Sequence, residues 1–135
     1  MKKIVIIGAN DFQNQLILKA KEMGFETHVF AWQDGSIGER TADHFYPVSI
    51  VEIDEILEKC REIKPDAVAT IASDLANITV SKVAAGLGLP GNTPECIELS
   101  TNKYAMRSAF LKAGLPTPKF YKVDRVIPEL MEMEL

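Results

Sequence analysis

Four shortages in this sequence each remove a class of protein. There are only two cysteines, Cys60 and Cys96, far apart on separate expected helices, with no C-x-x-C spacing and no histidine beside either. That pattern fits neither a disulfide framework nor a thiolate metal site, and a buried free thiol at each position is the expectation. His28 and His44 share no ligand spacing with the cysteines. Long apolar runs are also missing: MKKIVIIGAND opens with two lysines, but its apolar stretch Ile4–Ile7 is four residues long and stops at Gly8. A secretory core needs about 7–15 apolar residues and a membrane span about 20, so a cytoplasmic protein without a membrane partner is expected. Basic charge is not in excess either, with 15 Lys and Arg against 19 Asp and Glu and a net charge of −4. The basic residues are scattered, which argues against nucleic acid as a partner. Internal repeats and low-complexity tracts are lacking too. The 47% hydrophobic and 25% charged residues are those of an ordinary globular protein. The 135 residues make one domain's worth of chain, able to bury about 65–70% of its unfolded surface.

What is present is an alternation. Ile4-Val5-Ile6-Ile7, closed by Gly8, is a β-branched run of the kind that forms a strand buried on both faces of a parallel sheet. Asn10 or Asp11 can cap the helix that follows, with Phe12, Leu16, Ala20 and Met23 as its apolar face and Gly24 at its end. Glu26 to Trp32 is a second strand, residues 33–41 a polar loop, and His44 to Val48 a short strand. Ser49 and Glu52 have the spacing of a capping box ahead of a helix that buries Ile53, Ile56, Leu57, Cys60 and Ile63. Ala67 to Ala72 is the next strand, and Ser73 or Asp74 caps a helix carrying Ala76, Val80, Val83, Ala84 and Leu87 on one side. Leu89-Pro90-Gly91 is a very short extended piece, and Thr93-Pro94 opens a short helix. This order predicts an α/β fold, a Rossmann-like doubly wound parallel sheet. Ligands of such sheets bind beyond the carboxyl ends of the strands. The candidates there are Gly8-Ala9-Asn10, Ala31-Trp32-Gln33, Ser73-Asp74 and Gly91-Asn92-Thr93.

The first of these turns is not a dinucleotide fingerprint. G-x-G-x-x-G needs its second glycine to admit a pyrophosphate and its third to pack helix on strand, and here those positions hold Asn10 and Gln13. Asp34 also lies 26 residues past Gly8, where the ribose-binding acid would stand about 20 on. The turn still aims helix N-terminal amides at an anion, to which Asn10, Gln13 and Gln15 could add neutral hydrogen bonds. Asp74 either caps its helix or binds a substrate amine or hydroxyl. Trp32 either packs or lids a pocket. Residues 100–118, STNKYAMRSAFLKAGLPTP, form a helix capped by Thr101, with Met106, Phe110 and Ala113 as its apolar face. Gly114 and the Leu-Pro-Thr-Pro phrase then force an extended exit toward a further domain. Lys103 falls in the first turn of that helix, where the helix dipole disfavours a cation, so helix stability alone explains it poorly.

Taken together, the Gly8 turn, Lys64-Pro65-Asp66, the phrase from Gly88 to Gly91, and Asn102-Lys103-Tyr104 through Ala113-Gly114-Leu115-Pro116-Thr117-Pro118 resemble the N-terminal region of ATP-grasp ligases. The match is nearest to the carbamoyl-phosphate-synthase-like and purine-synthesis-like members. The resemblance implies a pre-ATP-grasp domain over residues 1–99, a linker helix and exit over 100–118, and the start of an ATP-grasp domain over 119–135. It implies ATP and Mg²⁺ as cofactors, with most of their ligands expected after residue 135, and Lys103 as a contact to ATP phosphates. Asn102 stands where a serine or an acidic residue is commoner. Gly8, Ala9, Asn10 and Asp74 match loops that face the acceptor substrate. No residue of this stretch is given a catalytic or metal-binding role. The implied reaction turns a carboxylate into an acyl phosphate that an amine or other nucleophile displaces, and the fragment alone is expected to be inactive. A free-standing Rossmann-like module for a small anion or nucleotide is the alternative. Apolar residues on a sheet edge would allow a homodimer.

Overall fold

The computed structural model describes residues 1–125; residues 126–135, part of the stretch assigned above to the start of a further domain, lie outside the described residues. In chain order the elements are β1 (Lys3–Ile7), α1 (Asp11–Glu22), β2 (Glu26–Phe30), α2 (Ile37–Thr41), β3 (His44–Tyr46), α3 (Ile53–Ile63), β4 (Ala67–Ala69), α4 (Asp74–Leu87), α5 (Pro94–Thr101) and α6 (Lys103–Lys112). The four strands form one parallel sheet in the order β3-β2-β1-β4. The chain falls into two compact units, Met1–Pro94 and the part that begins at Glu95.

The sheet is covered on both faces, as the apolar run at Ile4–Ile7 predicts. On one side Ile6 and Val29 pack with Ile17 and Ala20 of α1. On the other, Val5, Ile7 and Phe30 pack with Ile56, Cys60 and Ile63 of α3 and with Ala76 and Val83 of α4. The chain thus winds both ways from its central strand, which is the predicted fold class.

Several expectations about single elements are corrected. Phe12 and Met23 of the α1 region are 67% and 64% exposed. The inward positions are taken by Gln13, Asn14, Ile17 and Ala20, because the Gln13 side chain is needed inside to bond β4's trailing loop. Residues 33–41 are not all loop: α2 forms there, seated on the turn after β1 through a hydrogen bond from Gly38 N to Ala9 O at 3.0 Å. The Ser49–Glu52 capping box does not close, since α3 starts only at Ile53 with Glu52 as its N-cap and no side-chain bond there. Ser49 Oγ instead accepts from Val51 N at 3.5 Å. β2, β3 and β4 end two or three residues short of their expected limits, and Leu89–Gly91 forms no strand. α4 buries Ala76, Val83 and Ala84 of its expected side, with Val80 and Leu87 only partly buried, and it also buries Thr79 and Ser81, each hydroxyl donating to a backbone carbonyl, Ile50 O at 2.5 Å and Asn92 O at 2.8 Å. Cys60 is buried, but Cys96 is exposed.

Candidate functional site

The order of the strands opens a crevice between β1 and β4. From β3, at one edge, the chain returns past β2 and β1 to lay β4 at the other edge. The helices that follow β1 and β4 therefore leave toward opposite faces of the sheet. Such a switch point is where open parallel sheets bind ligands, at the strands' carboxyl ends. Its two lips are the turn from Gly8 to Asn10 and the loop from Thr70 to Asp74.

Each lip has a fixed local conformation. Gly8 has φ +106°, and a Cβ added there would meet Gln13 Cγ at 2.9 Å, so glycine is required on both conformational and steric grounds. Its N–H donates to Phe30 O at 2.8 Å. Ala9 is buried and its carbonyl is taken by Gly38, whose own missing Cβ would fall 2.5 Å from Ala9 O. Asn10 is the α1 N-cap, its Oδ1 accepting from Gln13 N at 3.1 Å. Gln13 ties the lips together, with Nε2 donating to Ile71 O and Oε1 accepting from Ile71 N at 3.1 Å. Thr70 Oγ1 adds a bond to Ile7 O at 2.9 Å. Asn10 and Gln13, read in the sequence as donors to a ligand, thus spend these atoms within the protein. Gln13 fills the place where a dinucleotide turn keeps a glycine.

On the second lip Ala72 has φ +52°, a left-handed conformation that a non-glycine residue adopts at a cost. Ser73 caps α4, its Oγ accepting from Ala76 N at 3.2 Å, and Asp74 is the first helical residue. A depression of about 210 Å³ lies here, lined by Thr70, Ala72, Ser73, Asp74 and Asn77. Trp32, after β2, is 69% exposed and belongs to neither core cluster.

In the second unit Lys103 is the first residue of α6. The cap is Asn102, not Thr101: Asn102 Oδ1 accepts from Tyr104 N and Ala105 N, each at 3.1 Å, and its Nδ2 donates to Glu98 Oε1 at 2.7 Å. Thr101 closes α5 and donates to Ile97 O at 2.7 Å. The expected apolar face of α6 is not buried, and Phe110 is 39% exposed. A groove of about 590 Å³ runs along Tyr104, Leu111 and the segment 117–122. Within it Tyr104 meets Phe120 edge to face at 5.7 Å, and the Lys122 ammonium lies 5.6 Å from the Tyr104 ring centre.

A separate cluster escaped the sequence reading. Glu26 Oε1 lies 3.0 Å from His28 Nε2 and 3.0 Å from His44 Nε2, while His28 Nδ1 is 3.0 Å from the Tyr46 hydroxyl. Burial, then the charge of His44, holds His28 below the usual imidazole pKa. Partial desolvation pushes Glu26 up, but the hydrogen bond from His28 and the charge of Lys3 outweigh it and leave its pKa lowered. Glu26 and His28, two apart on a strand, predictably share a face. That His44 joins them depends on the β2–β3 register, which pairs His28 with His44 and is not visible in either segment alone.

The fold and its crevice define a Rossmann-like, doubly wound α/β domain. No protein-family model and no curated protein matches the sequence, but solved structures do. A phosphoribosylglycinamide synthetase from Anaerococcus prevotii is 27% identical, with a TM-score of 0.72 over 84% of this chain and 29% of its own. An L-amino acid ligase from Bacillus licheniformis is 23% identical, with a TM-score of 0.80 over 100% of this chain and 35% of its own. An N5-carboxyaminoimidazole ribonucleotide synthetase, solved as its ADP complex, is 24% identical, with a TM-score of 0.67 over 87% of this chain and 30% of its own. These neighbours are ATP-grasp ligases, and the likeness is consistent with an N-terminal domain of such a ligase. The chain spans about a third of their length.

Proposed function

We propose that this chain is the substrate-side domain of an ATP-dependent ligase that joins a small-molecule carboxylate to an amine or related nucleophile through an acyl phosphate. The observation that carries this reading is the extent of the likeness: ligases of differing acceptors share this fold over 84–100% of the chain. Within it the crevice between β1 and β4 is the acceptor side. There the first-turn amides of α1 other than that of Gln13, which Asn10 caps, lack intrahelical acceptors and attract a carboxylate or phosphate. Asp74, on the other lip, is the candidate to take an amine or hydroxyl. Gly8 and Ala9 serve by shape, since one gives the turn its conformation and the other seats α2 against it.

ATP, when bound, supplies the phosphoryl group that activates the carboxylate. Lys103 fits one phosphate as a compact point charge. The described residues do not fit Mg²⁺ beside it. Among them the one group of three side chains able to ligate a metal is Glu26, His28 and His44, in the other unit.

The test is ADP release across a panel of carboxylates and amines, measured with the 135-residue chain and with any longer product of the same reading frame. No turnover by the shorter chain, and turnover dependent on both substrates by the longer one, is the expected result. ATP turnover by residues 1–135 alone would overturn the assignment of roles. A reading frame that stops at Leu135 would favour a free-standing anion- or nucleotide-binding module.

A further inference from the structure

We propose that Glu26, His28 and His44 form a binding site for a divalent transition-metal ion, zinc foremost, toward the amino ends of the strands and apart from the crevice between β1 and β4. The backbone sets the site. Parallel pairing places His28 of β2 opposite His44 of β3, so the two side chains leave adjacent strands on one face, and Glu26 joins them from two residues upstream. The imidazoles stack with centres 4.5 Å apart and planes 18° from parallel. Both Nε2 atoms converge on the same carboxylate oxygen at 3.0 Å, and all three potential ligand atoms lie within 4.8 Å of one another.

The two nitrogen–oxygen separations suit a small ion. Zinc bonds of about 2.0–2.2 Å in tetrahedral geometry set ligand atoms about 3.3 Å apart, so the two nitrogen–oxygen edges are already within a few tenths of an ångström of that distance. Two imidazoles and one carboxylate leave a fourth position for water. The donor set favours zinc and its transition-metal neighbours over Mg²⁺ and Ca²⁺, which take oxygen. Without an ion, Glu26 accepts an Nε2–H from each ring; an ion takes the Nε2 positions and each neutral ring carries its proton on Nδ1 instead. Tyr46 steadies the arrangement from behind, because a metal on His28 Nε2 leaves Nδ1–H to donate to the Tyr46 hydroxyl and so fixes tautomer and ring angle. Tyr46 is itself held by stacking on the buried Phe30 at 4.6 Å. The side chain of His28 is 5% exposed and that of His44 50%, which gives a rigid inner ligand and an open outer one. The neighbouring cation Lys3 works against a metal, but its ammonium is drawn to Ile63 O at 3.2 Å.

The experiment titrates the metal-stripped 135-residue chain with Zn²⁺ by calorimetry and with Co²⁺ by visible absorption. A Cys96→Ser background is used so that the exposed thiol contributes nothing. Binding of one ion per chain, the d–d bands of a four-coordinate cobalt site, and a melting temperature that rises with Zn²⁺ concentration are expected. His44→Ala should weaken binding by about 100-fold or more, and Tyr46→Phe, which removes only an outer partner, by about 10-fold with the stoichiometry kept. Far-UV circular dichroism checks the fold of each variant, and His44→Asn replaces His44→Ala if the latter unfolds. Absence of stoichiometric binding in the parent chain would overturn the proposal, leaving a purely hydrogen-bonded triad. So would unchanged affinity in a folded His44 variant.

Discussion

Gln13 is 2% exposed, and both ends of its amide are hydrogen-bonded to the backbone of Ile71. Gln13→Leu keeps the bulk but leaves the Ile71 N–H and C=O without these partners at the end of β4. The expected cost is about 2–3 kcal/mol, read from the midpoint of urea denaturation; a loss within experimental error would mean that the amide staple carries no weight. A glutamine on a helix is ordinarily assigned to the solvent side, so periodicity of apolar residues found Leu16 and Ala20 on the inward side but added the exposed Phe12 and Met23 and left out Gln13, Asn14 and Ile17. The two cysteines make a second contrast. Burial pushes the Cys60 thiol up to about 12, whereas Cys96 is exposed. At pH 8 a thiol reagent should label Cys96 rapidly and Cys60 only as the chain unfolds, since the thiolate is the reactive form. Mass spectrometry of the labelled peptides decides it, and rapid labelling of both would contradict the buried position.

Helix starts were legible to within one residue: Asn10 or Asp11, and Ser73 or Asp74, were the candidates, and the geometry gives both caps to the first of each pair. Asn10 and Ser73 accept from the third residue on, at 3.1 and 3.2 Å, as their positions after strands predict. At α6 the expected cap, Thr101, was one residue early: Thr101 and Asn102 are both capping residues, and only the geometry gives the place to Asn102. Serine, aspartate and asparagine all accept N-terminal amides, so any of them could fill the cap before Lys103. Asn102→Ala should destabilise the start of α6 by about 1 kcal/mol, seen as roughly fivefold faster hydrogen exchange at the amides of Tyr104 and Ala105. Asn102→Asp should keep their protection, and equal loss in both variants would count against a cap. The loop around α2 shows the opposite limit, because its short helix depends on Gly38 lying against Ala9, a contact between segments far apart in sequence.

At the scale of the molecule, every residue of the two buried core clusters belongs to the unit Met1–Pro94. A chain truncated after Pro94 should therefore unfold in one cooperative urea transition with an α/β circular dichroism spectrum. A gradual, non-cooperative loss of signal would show that the second unit is required. The alternation of strands and helices foretold this architecture and the two lips of its crevice, since both follow from local sequence. The triad of Glu26, His28 and His44 could not be foretold, since it exists only once two strands are in register. The same sheet order has a consequence for the nascent chain. β1 meets β2 early, but its other edge pairs with β4, Ile4 with Ala67, a separation of 63 residues. At about 5–20 residues per second of synthesis, the β-branched strand Ile4–Ile7 waits about 3–13 seconds with that edge bare. Those seconds on the ribosome, rather than the finished fold, are when this protein is most open to mispairing and to capture by a chaperone.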